Sequence, residues 1–536
     1  MCSSCQGFSV ENSSTGHSEK KKVSRAAGVV GFFTLLSRIL GLVRDMVVAH
    51  LFGAGMAADA FFVAFRIPNL LRRLFAEGSL TIAFIPVFTE YLSNRTRREA
   101  MDLARTVLTL LSLILVAVTV IGVLLSPWIV RIQAFGFGGT GAKYDLTVLL
   151  TRITFPYILL ISLVAFFMGV LNSLRRFAAP AAAPIFLNVG MIAAAYLIAP
   201  YFGEPVVGLA IGVLLGGILQ VAIQIPSVAA SGLRLWPRWD MDHPALRRIG
   251  RLMIPAIFGS AVYQVNQFMG TLLASFLAEG SVSWLYYADR LVQFPLGVFA
   301  IAISTAALPS LSTQAAHQET DRFGETLTHS LRLVFFVTLP SMVGLIVLGS
   351  PIIRVFFERG AFDADTTAMT AQALFFYSVG LWAFSGIRVM VSAFYALQDT
   401  RTPVKIAVAA VLTNMALSLI LMVPLRHGGL ALALSAASSL QFFLLIVFLK
   451  RKVALGTFRP VAISGLKNVL AAAVMGGVVY GIRIQWLTVT GGLTHMIAEL
   501  AGLIAIGIAV YFAVSALLGC REWKALGEVV SPMRRR

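Results

Sequence analysis

Eight charged side chains sit in one otherwise apolar stretch, residues 32–88: Arg38, Arg44, Asp45, Asp59, Arg66, Arg72, Arg73 and Glu77. Charge inside a run long enough to enter a bilayer is costly, so such groups face a watered cavity or a bundle interior and mark a path for a solute. Five cations against three anions point to an anionic cargo. Arginine suits a phosphate in particular, because guanidinium stays charged when desolvated and its planar fork matches two phosphate oxygens. Several converging guanidiniums could neutralise a pyrophosphate, whereas a small cationic drug would be repelled.

Spacing sorts these residues into stripes. Ser37, Arg38, Gly41, Arg44 and Asp45 fall on one side of an α-helix, which is what a cavity-lining helix needs. The competing reading is internal pairing, with Asp45 holding Arg38 or Arg44 as packing glue. Arg66, Arg73 and Glu77 share a second stripe, and Arg73 and Glu77 are i,i+4 neighbours able to pair. Arg72 points about 100° away, unless Pro68 shifts the phase. Further along, SVSWLYYADRLVQFP places Ser283, Tyr286 and Arg290 on one face, with Asp289 beside Arg290. Asn172, Asn188, Asn266 and Asn414 read as hydrogen-bonding glue between helices.

Catalysis finds little support. The seven histidines are scattered without ligand spacing, so no metal site is expected, and there is no Walker loop, GxSxG or HExxH. Cys2 and Cys5 form a lone CxxC, and with Cys520 they make no disulfide framework. No cofactor is implied.

The elements that must position these side chains are membrane helices. Of 536 residues, 58% are hydrophobic and 12% charged, and mean hydropathy is +0.85. About fourteen apolar windows of some 20 residues recur along the chain, each able to cross a core of roughly 30 Å. Their continuity argues against a β-barrel, whose strands alternate. An all-α polytopic membrane protein is expected.

The net charge of +19 is not a nucleic-acid footprint. With fourteen spans and an inside N-terminus, about 28 loop cations fall inside and about 4 outside, the bias of a protein with both termini cytoplasmic. Asp59 then lies at the outer mouth. Residues 1–25 read as a disordered cytoplasmic tail and 521–536 as a basic one.

The chain also resembles itself at a displacement of about 223 residues. FRIPNLL…AFIP returns as ADRLVQFP…AALP, and GVLNSLRRFAAP returns as SAFYALQDTRTP, so that Pro86 maps on Pro309 and Pro180 on Pro403. The expected layout is an N-lobe of six helices (26–231), a C-lobe of six (248–452) and two extra helices (460–520) forming part of a groove for a lipid tail. Parallel repeats of this kind place substrate between halves that rock in alternation.

SRILGLVRD, FGAGMAADAFFVAFRIPNLLRRLFAEG, YYADRLVQFPLGV, FERGAFDADTT and YALQDTRTPVK together resemble the MurJ (MviN) family of lipid II flippases, in order over nearly all of residues 26–520. The resemblance implies the fourteen-helix fold of the multidrug/oligosaccharidyl-lipid/polysaccharide exporters. It also implies movement of lipid II from the inner to the outer leaflet of the bacterial cytoplasmic membrane for peptidoglycan synthesis, with lipid II, membrane lipids and the cell-wall synthesis machinery as partners. The family's functional arginines correspond to Arg38, Arg44, Arg72 and Arg290, and Ser37 and Ser283 join them in binding the headgroup. Asp59, Glu77 and Asp289 match cavity carboxylates, and Arg66 stands where the family commonly has lysine. The stripe analysis favours Arg73 over Arg72, and the resemblance favours Arg72. Energy is expected from the membrane potential or a monovalent ion. The runner-up is a cation-coupled exporter of drugs or other polyprenyl-linked oligosaccharides on the same fold.

Overall fold

The computed structural model describes residues 12–72, 80–453, 458–486, 492–520 and 522–523, and among these there is no β-strand. The first half of the chain supplies α1 (Asn12–Phe52), α2 (Met56–Leu71), α3 (Thr81–Asn94), α4 (Arg97–Leu124) and α5 (Ser126–Gln133). It continues with α6 (Ala142–Thr154), α7 (Tyr157–Ser173), α8 (Ala178–Leu197), α9 (Val206–Ala222) and the short α10 (Ile225–Ala229). The second half supplies α11 (Pro244–Ser275), α12 (Ser281–Pro295), α13 (Ile301–Ala316), α14 (Thr320–Phe356), α15 (Ala364–Val379), α16 (Leu381–Ala396) and α17 (Arg401–Lys452). Two more, α18 (Arg459–Trp486) and α19 (Leu493–Leu517), follow.

Element boundaries repeat at the sequence displacement. α1 ends at Phe52 and α11 at Ser275; α4 begins at Arg97 and α14 at Thr320; α7 ends at Ser173 and α16 at Ala396; α8 begins at Ala178 and α17 at Arg401. Each pair is 223 residues apart. So are two residues held in the left-handed region, Arg175 (φ 59°) and Gln398 (φ 57°), which turn the chain between those last two pairs of helices. Such a conformation is uncommon for a residue with a side chain, so its recurrence at the same step is evidence for a duplicated unit rather than shared composition. At the second turn Asp399 accepts from the Arg401 and Thr402 amides and from Lys452. Burial pushes its carboxyl up, but the bonds from Lys452 and Thr402 outweigh that and hold it down at about 2.

By length and apolarity, nine stretches among the described residues can cross a membrane, or ten if the pair α15 and α16, bent by 43°, is one span. The sequence count of about fourteen is larger, partly because one of the nine is the 52-residue α17. A straight helix of that length would reach about 78 Å, more than twice the bilayer core. α17 is two helices meeting at Arg426, whose φ of 51° and ψ of −132° are non-helical. α4 leaves Leu113, Ile114, Val120, Ile121 and Leu124 at least half exposed, a stripe suited to lipid rather than water. The chain is a multi-pass membrane protein.

The described chain forms two compact units. Unit one comprises residues up to Val48, with 64–130 and 145–261; unit two comprises 49–63, 131–144 and 262 onward. In unit one, Phe84, Phe88, Leu103 and Phe166 centre a core where α3, α4 and α7 meet. In unit two, α18 and α19 pack on α14 through Phe336, Ala472 and Leu503, and the Tyr511 hydroxyl donates to the Phe336 carbonyl (2.7 Å).

The tightest pair in unit one is α8 with α9, and glycine makes it possible. A Cβ on Gly190 would lie 2.6 Å from the Gly216 backbone, one on Gly212 2.6 Å from Ala194 Cβ, and one on Gly208 2.4 Å from Ala199 Cα. Gly208, Gly212 and Gly216 are four residues apart, the small-residue stripe that lets helix backbones touch where no hydrophobic effect drives association. Gly212→Leu should therefore force α8 and α9 apart and destabilise the protein by about 1–3 kcal/mol. A fall in the thermal unfolding midpoint of purified protein checks this, with Gly465→Leu, where a Cβ meets nothing within 4 Å, as the control that should change little.

Candidate functional site

In unit one the polar stripe of α1 divides. Arg44 and Asp45 are buried, 7% and 4% exposed. Arg44 donates from Nε (3.1 Å) and Nη2 (2.7 Å) to Asp45 Oδ1, and from Nη1 to Asn188 Oδ1 of α8 (3.1 Å). Asn188 in turn donates to the Ser37 carbonyl (3.2 Å). Arg44 is thus held by one carboxylate and one amide, the internal pairing weighed as the alternative to cavity lining, and Asn188 is the interhelical glue expected of it. Gly41 keeps that amide close: a Cβ there would stand 3.8 Å from Asn188 Nδ2.

Arg38 differs. It is exposed and makes no hydrogen bond or ion pair among the described residues. It lies seven residues before Asp45, about 10 Å along the helix, too far along the axis to share that carboxylate with Arg44. Of Arg38 and Arg44, it is Arg38 that presents its guanidinium outward. Arg66 on α2 and Arg72, the residue after its end, are half-buried, and Arg72 Nε donates to Asn69 Oδ1 (3.1 Å). Arg73 and Glu77 lie outside the described residues.

In unit two a second cluster centres on Asp59, 1% exposed. Its Oδ1 accepts from the Ser283 amide (3.0 Å) and hydroxyl (2.7 Å). Its Oδ2 accepts from the Gly280 amide (2.8 Å) and Lys143 Nζ (2.8 Å). The carboxylate therefore sits at the N-terminus of α12, where free amides and the helix dipole favour negative charge. One buried anion receives four donors, three of them from α12 and the residue before it. The Ser283 hydroxyl is spent on this contact and is itself fully buried.

The same region gathers three of the segments that carried the family resemblance. The Tyr287 hydroxyl donates to the Gly53 carbonyl (3.2 Å), and the Ala361 amide to the His50 carbonyl (2.9 Å). Gly53 and Gly360 have positive φ (58° and 59°), and a Cβ on Gly53 would fall 2.3 Å from the Ala361 carbonyl oxygen, so only glycine allows this approach. The FGAGMAADA, YYADR and FERGAF segments are conspicuous because they build one packed junction.

On α12, one turn beyond Asp59's partner, Tyr286 stacks on Phe62 (centroids 3.9 Å). The Arg290 guanidinium lies 4.8 Å over the Tyr286 ring and donates from Nη2 to its hydroxyl (2.8 Å). Asp289 accepts from Gln293 (3.3 Å) and from no other described residue, so the adjacent Asp289 and Arg290 do not pair. Lys143 is a partner that residue spacing does not point to, a cation from one of the loops that the charge bias places outside. The available signal was that Asp59, on an apolar helix, needed a counter-ion from somewhere.

The family model for lipid II flippase MurJ matches residues 48–499. A probable lipid II flippase MurJ of Vibrio cholerae is 40% identical over 509 residues, 94% of this chain and 97% of the relative. A lipid II flippase MurJ of Burkholderia cenocepacia is 36% identical, covering 92% and 97%. Among solved structures, a lipid II flippase MurJ in an inward closed conformation superposes with TM-score 0.77 at 29% identity, covering 91% of this chain and 98% of that one. An inward-facing multidrug transporter of the MATE family (TM-score 0.65, 12% identity, 80% and 98% covered) shares the fold.

Removing one partner of a buried, fully bonded ion pair strands the others. Asp59→Ala should cost about 3–5 kcal/mol of stability, and Asp59→Asn less, because an amide oxygen still accepts from α12. Thermal unfolding of the purified variants checks that order; Asp59→Ala as stable as wild type would contradict the capping role.

Proposed function

The chain belongs to the lipid II flippase MurJ family, and from that premise we propose that it carries lipid II, a polyprenyl-pyrophosphate bearing a disaccharide-pentapeptide, from the inner to the outer leaflet of the bacterial cytoplasmic membrane for cell-wall synthesis. It is a transporter, not an enzyme. The observation that carries the reading is the guanidinium of Arg38, presented outward from an apolar helix while its neighbour Arg44 is neutralised. A cation so placed recovers its lost hydration when an anionic headgroup arrives.

Each side chain then has a part. In unit one Arg38 takes the pyrophosphate, with Arg66 and Arg72 adding positive field; in unit two Arg290, braced by Tyr286, is the guanidinium offered to an anion. Arg44 with Asp45 and Asn188 fixes the posture of α1, and Asp59 with Ser283 and Lys143 fixes that of α12. The two sequence halves alternate access, both termini lie in the cytoplasm, and the cargo's tail stays in lipid beside α18 and α19. The barrier is then the headgroup's charge, and cations along its route lower it. The membrane potential, worth about 2.3 kcal/mol per charge per 100 mV, or a monovalent ion gradient drives reorientation. Enzymes that consume lipid II at the outer face are the downstream partners.

Reconstitution into vesicles with labelled lipid II and an outer-leaflet readout tests this. Wild type should move the label, and Arg38→Ala and Arg290→Ala should abolish movement while remaining folded and inserted. Full activity in either variant would overturn its docking role.

A further inference from the structure

At the end of the bundle where α18 begins and α19 finishes, a cavity of about 420 Å³ is lined by Arg332 of α14, Arg459 and Lys467 of α18, and Glu522 beyond α19. Its single carboxylate is committed through one oxygen, while Oε2 is buried without a hydrogen-bond partner among the described residues. Glu522 Oε1 takes Arg332 Nε (2.7 Å), Arg332 Nη2 (2.7 Å) and the Ser464 hydroxyl (2.7 Å). Burial pushes the Glu522 carboxyl up, but these bonds more than offset it and leave it lowered.

Lys467 is left over. It lies eight residues into α18, about 12 Å along the helix, half-buried between lipid-facing Leu466 (62% exposed) and Leu470 (50%). No carboxylate among the described residues lies within ion-pair distance of it. An ammonium on an apolar helix needs an anion, and this one opens on a cavity that Arg332 and Arg459 also line. α14, α18 and α19 are all candidate membrane spans, and the cavity is lined from the first turns of α18 and the residues just after α19, at the ends of two spans.

We propose that this cavity binds the phosphodiester of an anionic phospholipid, with Lys467 and Arg459 on its oxygens and Glu522 holding Arg332 against it. Basic pockets between helices at a membrane surface recognise lipid headgroups in this way. The ligand is a resident lipid rather than the transported one, so the site stands or falls independently of the flippase reading.

Native mass spectrometry of the full chain, purified with equal phosphatidylglycerol and phosphatidylcholine, tests it. Wild type should retain phosphatidylglycerol preferentially. Lys467→Gln should lower that retention about five-fold, one cation's share of the attraction, Lys467→Arg should restore it, and Arg322→Gln, removing an exposed cation paired with Glu319, should leave it unchanged. No preference between the lipids, but Lys467-dependent binding of inorganic phosphate alone by calorimetry, would keep the phosphate site and assign it to a soluble anion. Equal retention by wild type and Lys467→Gln without Lys467-dependent phosphate binding, or an equal loss in Arg322→Gln, would overturn the proposal.

Discussion

An ionised group on an apolar helix must find its hydrogen bonds inside the protein or keep them with something polar outside it. That constraint sorts the charged residues of this chain. Arg44 and Asp45 satisfy each other with Asn188, and Asp59 is satisfied by α12 and Lys143. Such groups hold helices in place, because moving either partner strands a charge. Arg38 is not satisfied within the described protein, and a transporter of anions needs cations of that kind.

Rigidity and reception are therefore divided between residues that look alike in sequence. Five of the polar residues on α1, α2 and α12 that composition and spacing single out are structural: Arg44, Asp45 and Asp59 by direct pairing, Ser283 by donating to Asp59, and Ser37 through its carbonyl. Tyr286 stands between the two roles, since it packs on Phe62 and also orients Arg290. The packed junction of the Gly53, Tyr287 and Gly360 segments explains why the most family-specific wording in the chain is rich in glycine and aromatic residues rather than in charge.

Much of the architecture was legible beforehand, because it depends on periodic properties. Apolar windows gave a polytopic helical protein, and the displacement of 223 residues visible in matched prolines returns in helix boundaries and in the left-handed turns at Arg175 and Gln398. The site was less legible. A helical wheel places Arg38 and Asp45 on one side of α1 but says nothing of the neighbouring helix that buries one and not the other. Lys143 could not be matched to Asp59 from spacing, since the two meet only through tertiary packing across 84 positions. Arg73 and Glu77, grouped by the sequence on one stripe, lie outside the described residues.

The central claim is that an outward guanidinium on α1 recognises the diphosphate of the cargo rather than its sugars or its tail. Affinity of the reconstituted protein for lipid II, and for an analogue with the same tail and sugars but a neutral link in place of the pyrophosphate, measures that most directly. The account predicts that wild type discriminates strongly between the two and that Arg38→Ala scarcely does. Equal discrimination by wild type and Arg38→Ala would contradict it.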